Sequence, residues 1–144
     1  MMNRINLVCL GVENLDYSLD FYKALGFQTT AQHGAAIVFF NNQGTKLELY
    51  PIDLLAQDID TESPPAIHQS GFSGITLACN MKSKQEVDNL FALVKEIGGT
   101  IAKEPQPTDW GGYSGYFQDP DGYYWEVAYA DSWQFDESDM LVIE

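Results

Sequence analysis

Two glutamates stand in the middle of apolar, strand-like segments: Glu48 in "KLELYP" and Glu126 in "YYWEVAY". Side chains alternate between the two faces of a β-strand, so Glu48 shares a face with Tyr50, and Glu126 shares one with Tyr124. The apolar side chains that alternate with these residues lie on the other face of each strand and should pack against the helices. Both carboxylates are therefore predicted to lie on the sheet face opposite the helices, where carboxylates can act as general acids and bases or bind hard cations.

Three interpretations of these carboxylates remain open. Each is solvated or paired with a cation such as Lys46 or Lys103, or each makes a polar contact to a ligand, or each coordinates a metal ion. If Glu48 and Glu126 approach each other without a metal, their like charges favour a shared proton. Such a pair would serve as general acid and base for proton abstraction next to a carbonyl group.

Aromatic side chains are numerous around the same predicted face, and glycines at positions 111, 112 and 115 would allow close approach of a ligand. Rings in strands also pack in cores or as cross-strand pairs, so a single ring is weak support for a site. As a set they indicate a planar or apolar small ligand, with Trp110 as the best single candidate. The predicted ring contacts are Phe39, Tyr50, Trp110, Tyr113 and Tyr124.

The charge balance excludes some partners. The 144 residues carry a formal net charge of −14, which opposes nucleic acids and anionic membranes, and neither is an expected partner. The N-terminus lacks the features of a secretory signal, which favours a cytoplasmic protein. His33 and His68 are the only histidines, and neither lies in the two segments that carry Glu48 and Glu126. No Ser-His-Asp arrangement or phosphate-binding loop is present.

The order of predicted elements repeats itself. Residues 3–51 are predicted as strand, helix and three strands, and residues 72–130 as the same order again, separated by a linker at 52–71 and followed by a tail at 131–144. We therefore expect a single domain of two modules.

Cap and turn residues mark the limits of these elements. Asn14 and Gly26 bound the first helix, Ser83 and Gly98 bound the second, and "DPDG" forms the last hairpin turn. In the first module, strands are expected at residues 27–33 and 35–42. The linker should lack regular structure, because two consecutive prolines interrupt it.

The helix motif "SLDFYKALGF", together with the terminal "FQDPDGYYWEVAY", resembles the vicinal oxygen chelate superfamily over residues 3–130. This superfamily includes glyoxalase I, bleomycin-resistance proteins, fosfomycin-resistance enzymes and extradiol dioxygenases. The resemblance implies an α+β fold in which two tandem β-α-β-β-β modules form a cupped mixed sheet. It also implies a homodimer. The segment "WGGYSGYFQDPDG" is most similar to small glyoxalase-like members.

The resemblance also implies positions for metal ligands: a His or Gln on the first strand of each module and a Glu on the last. Glu48 and Glu126 match the glutamate positions, whereas Leu7 and Gly74 fall where the histidines belong. Leucine and glycine side chains offer no lone pair. We therefore expect no cofactor, and any divalent metal would be held weakly by the two glutamates.

These observations predict a glyoxalase-like protein that binds a small aromatic or apolar metabolite or drug in an aromatic-lined cup, without the usual His/Glu metal site. Leu7 and Gly74 would then line the cup instead of binding metal. The alternative is a lyase, isomerase or dioxygenase of this superfamily, which uses Glu48 and Glu126 with a divalent ion or as a bare acid/base pair. Sequence alone leaves open whether the protein is an enzyme.

Overall fold

Residues 7–59 form a short sheet with two helices. The computed structural model describes residues 1–68 and 70–143, which fall into two units divided after residue 73. In the first unit the elements are β1 (Leu7–Val12), α1 (Leu15–Leu25), β2 (Val38–Phe39), β3 (Lys46–Pro51) and α2 (Ile52–Ile59). The sheet order is β1-β3-β2, with β1 parallel and β2 antiparallel to β3.

The ends of α1 are fixed by the predicted residues. The Asn14 side chain accepts a hydrogen bond from the backbone N–H of Tyr17 at 2.9 Å, which satisfies one of the free donors of the first turn. Gly26 ends the helix in the left-handed region at φ 111°, which costs glycine little. The buried face of α1 includes Leu19 and Tyr22. The three strands, and the residue directly after β2, contribute further buried residues to this unit's core: Leu10, Val12, Val38, Phe40, Leu47 and Leu49.

Three expectations for the first unit are wrong. The predicted strand at 27–33 is irregular, because the Thr29 hydroxyl donates to the Phe39 carbonyl at 2.7 Å and accepts from the Ala31 N–H, bonds that compete with a ladder. The strand predicted at 35–42 shortens to Val38–Phe39. Part of the predicted linker is helical: α2 begins directly after Pro51 and buries Ala56.

The second unit has the full predicted order. Its elements are β4 (Thr76–Asn80), α3 (Lys84–Glu96), β5 (Thr100–Pro107), β6 (Tyr113–Gln118) and β7 (Tyr124–Tyr129). The sheet order is β4-β7-β6-β5, and only the β4–β7 pair is parallel. Three helices and two mixed sheets in the described residues confirm the α+β class.

Reciprocal capping fixes the start of α3. The Ser83 hydroxyl accepts from the Glu86 N–H at 3.1 Å, and the Glu86 carboxylate accepts from the Lys82 N–H at 2.8 Å. The buried face of α3 consists of Val87, Phe91 and Val94. Ring pairs such as Phe91–Phe117, with centroids 6.2 Å apart, join this helix to the sheet.

The last hairpin turn follows the "DPDG" prediction. The buried Asp119 carboxylate accepts from the N–H groups of Asp121 and Tyr123, both at 2.9 Å, and Gly122 takes φ 85°. These bonds hold the start of β7, and with it the position of Glu126. None of the helices in the described residues has both the length and the apolar character needed to cross a membrane.

The tail after β7 folds back on the second unit. Phe135 and Leu141 form an isolated antiparallel bridge, and the Lys82 ammonium lies 2.5 Å from an Asp139 carboxylate oxygen. The same ammonium is 5.7 Å from the centroid of the Phe135 ring. Residues 131–143 are therefore attached to the module that precedes them.

Candidate functional site

Glu48 lies at the centre of the open face of the first sheet. Its cross-strand partners are Cys9 on β1 and Phe39 on β2. Leu7, two residues before Cys9, is 46% exposed and Phe39 is 51% exposed, whereas Leu47 and Leu49 on the opposite face of β3 are buried. The strand alternation thus gives the partition that the sequence predicts, and Tyr50, partly exposed, follows Glu48 on the same face.

The thiol next to Glu48 was not anticipated from the sequence as part of this face. Burial, then the charge of Glu48 and a hydrogen bond to its carboxylate, raise the pKa of Cys9 from 9.0 to about 11. Each of these causes favours the neutral thiol. Cys9 is therefore protonated near neutral pH, a state in which it is a poor nucleophile and a poor metal ligand.

Glu126 occupies the corresponding place in the second sheet. Its cross-strand partners are Ala78 on β4 and Tyr116 on β6. The Tyr116 hydroxyl donates a hydrogen bond to Glu126 Oε2 at 3.0 Å. Burial, this hydrogen bond and the Glu126 charge raise the pKa of Tyr116, so the phenol stays a donor. Tyr124 lies two residues before Glu126 on the same strand face.

Tyr113 and Gly74, two of the predicted ligand contacts, do not pair with Glu126 in the observed register. Tyr113 is on the helix face of β6, where its hydroxyl donates to Asp88 Oδ1 on α3 at 2.7 Å. Gly74 lies before β4 begins, with φ 84°. In the observed register, Thr76 stands two residues before Ala78, the partner of Glu126. Leu7 likewise stands two residues before Cys9, the partner of Glu48. The register equivalent of Leu7 is therefore Thr76.

Trp110 is 55% exposed and stacks on Trp133 of the tail, with centroids 5.7 Å apart and an interplanar angle of 23°. Its ring also lies over Gly112, because a Cβ atom at that position would be 2.1 Å from a ring carbon. The sequence gives no partner for Trp110. Only contact between distant segments reveals this pair.

The residues do not fit the metal centre that the resemblance implies. Leu7 and Gly74 supply no donor atom, and Thr76 offers only a neutral hydroxyl. Within residues 1–68 and 70–143, no three side chains of His, Cys, Asp or Glu come together in a group able to hold a metal ion. His33 is exposed and its Nε2 lies 2.7 Å from Asp20 Oδ1 on α1.

The family model for the Glyoxalase/Bleomycin resistance protein/Dioxygenase superfamily matches residues 4–127. The chain belongs to this superfamily. The match includes Glu48, Glu126 and every strand except the last two residues of β7. The resemblance carried by the helix and hairpin motifs is thereby confirmed.

Relatives and solved structures agree with this assignment. The metallothiol transferase FosB of Shouchella clausii is 30% identical over 128 residues, which cover 88% of this chain and 80% of that protein. A glyoxalase-related enzyme from Fulvimarina pelagi has a TM-score of 0.85, 24% identity and 99% coverage of both chains. A lactoylglutathione lyase from Agrobacterium tumefaciens has a TM-score of 0.67 and 22% identity, with 94% of this chain and 100% of that chain covered. The two structures show that the glyoxalase fold is shared.

Proposed function

We propose that this glyoxalase-superfamily protein binds a small aromatic or apolar molecule and does so without a His/Glu metal centre. The observation that carries the proposal is the surroundings of the two glutamates. Apolar or aromatic side chains stand beside each carboxylate, and the register positions that correspond to the implied histidines hold Leu7 and Thr76, neither of which is a histidine. This combination suits an organic ligand better than a metal ion.

Exposed apolar groups on the first sheet support the proposal. Leu7 and Phe39 leave about half of their surface in water, although buried positions are available to apolar side chains on the same strands. Contact with an organic ligand would remove this surface from water, at roughly 25 cal/mol for each Å² covered. Glu48, which pairs with Phe39 and lies on the strand between β1 and β2, would fix the orientation of a polar group on that ligand.

An enzymatic role is the second candidate, favoured by the relative named as a metallothiol transferase. In this candidate, Glu48 and Glu126 act as general acid and base or hold a weakly bound divalent ion. The protonated Cys9 thiol argues against a thiolate nucleophile on the first sheet.

Metal content separates the metal-free proposal from a metal-dependent enzyme. The protein should be purified without a metal-affinity step or chelator, analysed for bound metal, and titrated with Mn²⁺, Zn²⁺ and Ni²⁺ by calorimetry. We expect no stoichiometric metal and no micromolar binding. Micromolar binding that is lost in Glu126→Gln but kept in Asp88→Asn, which removes a carboxylate from the helix face, would overturn the metal-free proposal.

Ligand binding is tested separately. A library of small aromatic and apolar compounds should be screened by tryptophan fluorescence and NMR against wild-type protein and Phe39→Ala, a variant of an exposed residue that should not disturb the core. We expect hits whose affinity falls in Phe39→Ala. The binding function would be refuted by a library without hits. It would also be refuted if the affinity of every hit is unchanged by Phe39→Ala and by substitutions on both glutamate faces.

A further inference from the structure

A row of four side chains crosses the open face of the second sheet. Lys103 on β5 pairs with Tyr116 on β6, Tyr116 pairs with Glu126 on β7, and Glu126 pairs with Ala78 on β4. Glu126 is half-buried, and a neutral phenol donates to one of its oxygens at 3.0 Å. A carboxylate accepts about four hydrogen bonds, so the Tyr116 hydroxyl satisfies part of this capacity without neutralising the charge.

The two flanks of Glu126 differ in size and charge. On the β6 side stands the large Tyr116 ring, and Lys103 lies one strand further, with its backbone about 10 Å from that of Glu126 by strand spacing. On the β4 side stands Ala78, which is exposed and ends at a methyl group. A ligand can therefore approach the carboxylate over Ala78, away from the competing cation.

The chemistry around the carboxylate selects a class of ligand. A partly desolvated carboxylate gains most from a charged N–H donor, because the attraction between opposite charges then adds to the hydrogen bond and is weakened less than in bulk water. The faces of tyrosine rings are negative and attract ammonium groups, and Tyr116 and Tyr124 lie on the same face as Glu126. The net charge of −14 also draws cations toward the protein at long range.

We propose that the open face of the second module binds a protonated primary amine carried on an aromatic or apolar body, with the ammonium on Glu126 and the body against the tyrosine rings. The Tyr116 hydroxyl donates a hydrogen bond to the same carboxylate. This inference rests on the proposed binding function and specifies the chemical class of its ligand.

Three probes with the same ring system test the charge requirement: 2-naphthylmethylamine, 2-naphthylmethanol and 2-naphthoate, titrated into isotope-labelled full-length protein at neutral pH and followed by NMR. We expect the amine to bind at least about tenfold more tightly than the alcohol, which corresponds to about 1.4 kcal/mol, since both can donate to the carboxylate but only the ammonium adds the attraction of opposite charges. The carboxylate should bind most weakly. The amide groups that shift should include those of β7 and β4.

Two variants and one control assign the effect to Glu126. Glu126→Gln should reduce the affinity of the amine to within about twofold of that of the alcohol. Ala78→Lys places a tethered ammonium beside Glu126 and should lower amine affinity with little effect on the alcohol. Asp88→Asn removes the carboxylate of a second tyrosine–carboxylate pair, on the helix face, and should preserve the preference.

Equal binding of amine and alcohol to the wild-type protein would overturn the amine inference and leave the binding function intact. Loss of the preference in Asp88→Asn would also overturn it, because the effect would then follow net charge instead of this site. If the amine does not bind, the inference is wrong, and the library screen decides the broader function independently. Ala78→Lys keeps the test decisive if Glu126→Gln does not fold.

Discussion

Replacing Glu48 with glutamine should make the neighbouring Cys9 thiol more reactive. The pKa of Cys9 is about 11 instead of 9.0, so its thiolate fraction near neutral pH is smaller by about 100-fold than that of an ordinary cysteine. Because the thiolate is the nucleophile, alkylation of Cys9 in the wild type should be correspondingly slow. Burial is the largest cause of the raised pKa and persists in the variant. The expected gain in Glu48→Gln is therefore roughly tenfold, less than the full 100-fold.

The assay is the pH dependence of iodoacetamide alkylation in a Cys79→Ser background, because Cys79 is the other free cysteine. Asp58→Asn is the matched control, since it removes one exposed negative charge from α2 in the same unit. An apparent pKa of Cys9 near 9.0 in the wild type would refute the reasoning. So would a Glu48→Gln variant in which the pKa of Cys9 is unchanged or higher, because the charge and hydrogen bond of Glu48 would then not favour the neutral thiol.

Two further predictions concern stability and a surface ion pair. Gly115→Ala should lower the free energy of unfolding by about 2 kcal/mol or more in chemical denaturation. The reason is that the added Cβ would lie 2.6 Å from the Lys103 carbonyl oxygen and 2.7 Å from Phe91 Cζ. An unchanged denaturation midpoint would contradict this packing. Asp20→Asn should lower the pKa of His33, which its hydrogen bond to Asp20 raises above 6.5. The small stabilisation from this pair is present below pH 6.5 and is lost as pH rises through the raised pKa. NMR titration of the His33 ring tests this, and an equal pKa in both proteins would be inconsistent with it.

Local sequence signals predicted the second module better than the first. The Ser83 cap and the "DPDG" turn are made by residues close in sequence, and both formed as expected. The segment at 27–33 has the composition of a strand, but the Thr29 side chain bonds to the backbone of Phe39, ten residues away. Helix α2 was missed because the whole linker was interpreted from Pro64 and Pro65. These prolines lie after the apolar helical pattern with which the linker begins.

The glutamates could be placed on their sheet faces from alternation, but their partners could not be predicted. Alternation needs only the local strand, whereas a cross-strand neighbour depends on the register between distant segments. Two register shifts between β5 and β6 show why that register is hard to predict, since each displaces the pairing of Lys103 and its neighbours. The same limit explains why Gly74, instead of Thr76, was matched to Leu7.

The duplicated modules keep a carboxylate in the same place and surround it with different chemistry. Glu48 stands between a protonated thiol and an exposed phenylalanine, and Glu126 stands between a phenol and a methyl group. A ligand group that suits one carboxylate will therefore not suit the other equally. Glu126 has the exposed Ala78 on one flank and two tyrosines on its face, whereas the carboxylate of Glu48 is hydrogen-bonded to the Cys9 thiol and shares its face with one tyrosine, Tyr50. For this reason Glu48→Gln should leave the preference for an amine over the matching alcohol unchanged, whereas Glu126→Gln should abolish it. The reverse result in the NMR titration would show that the first module, and not the second, recognises the cation.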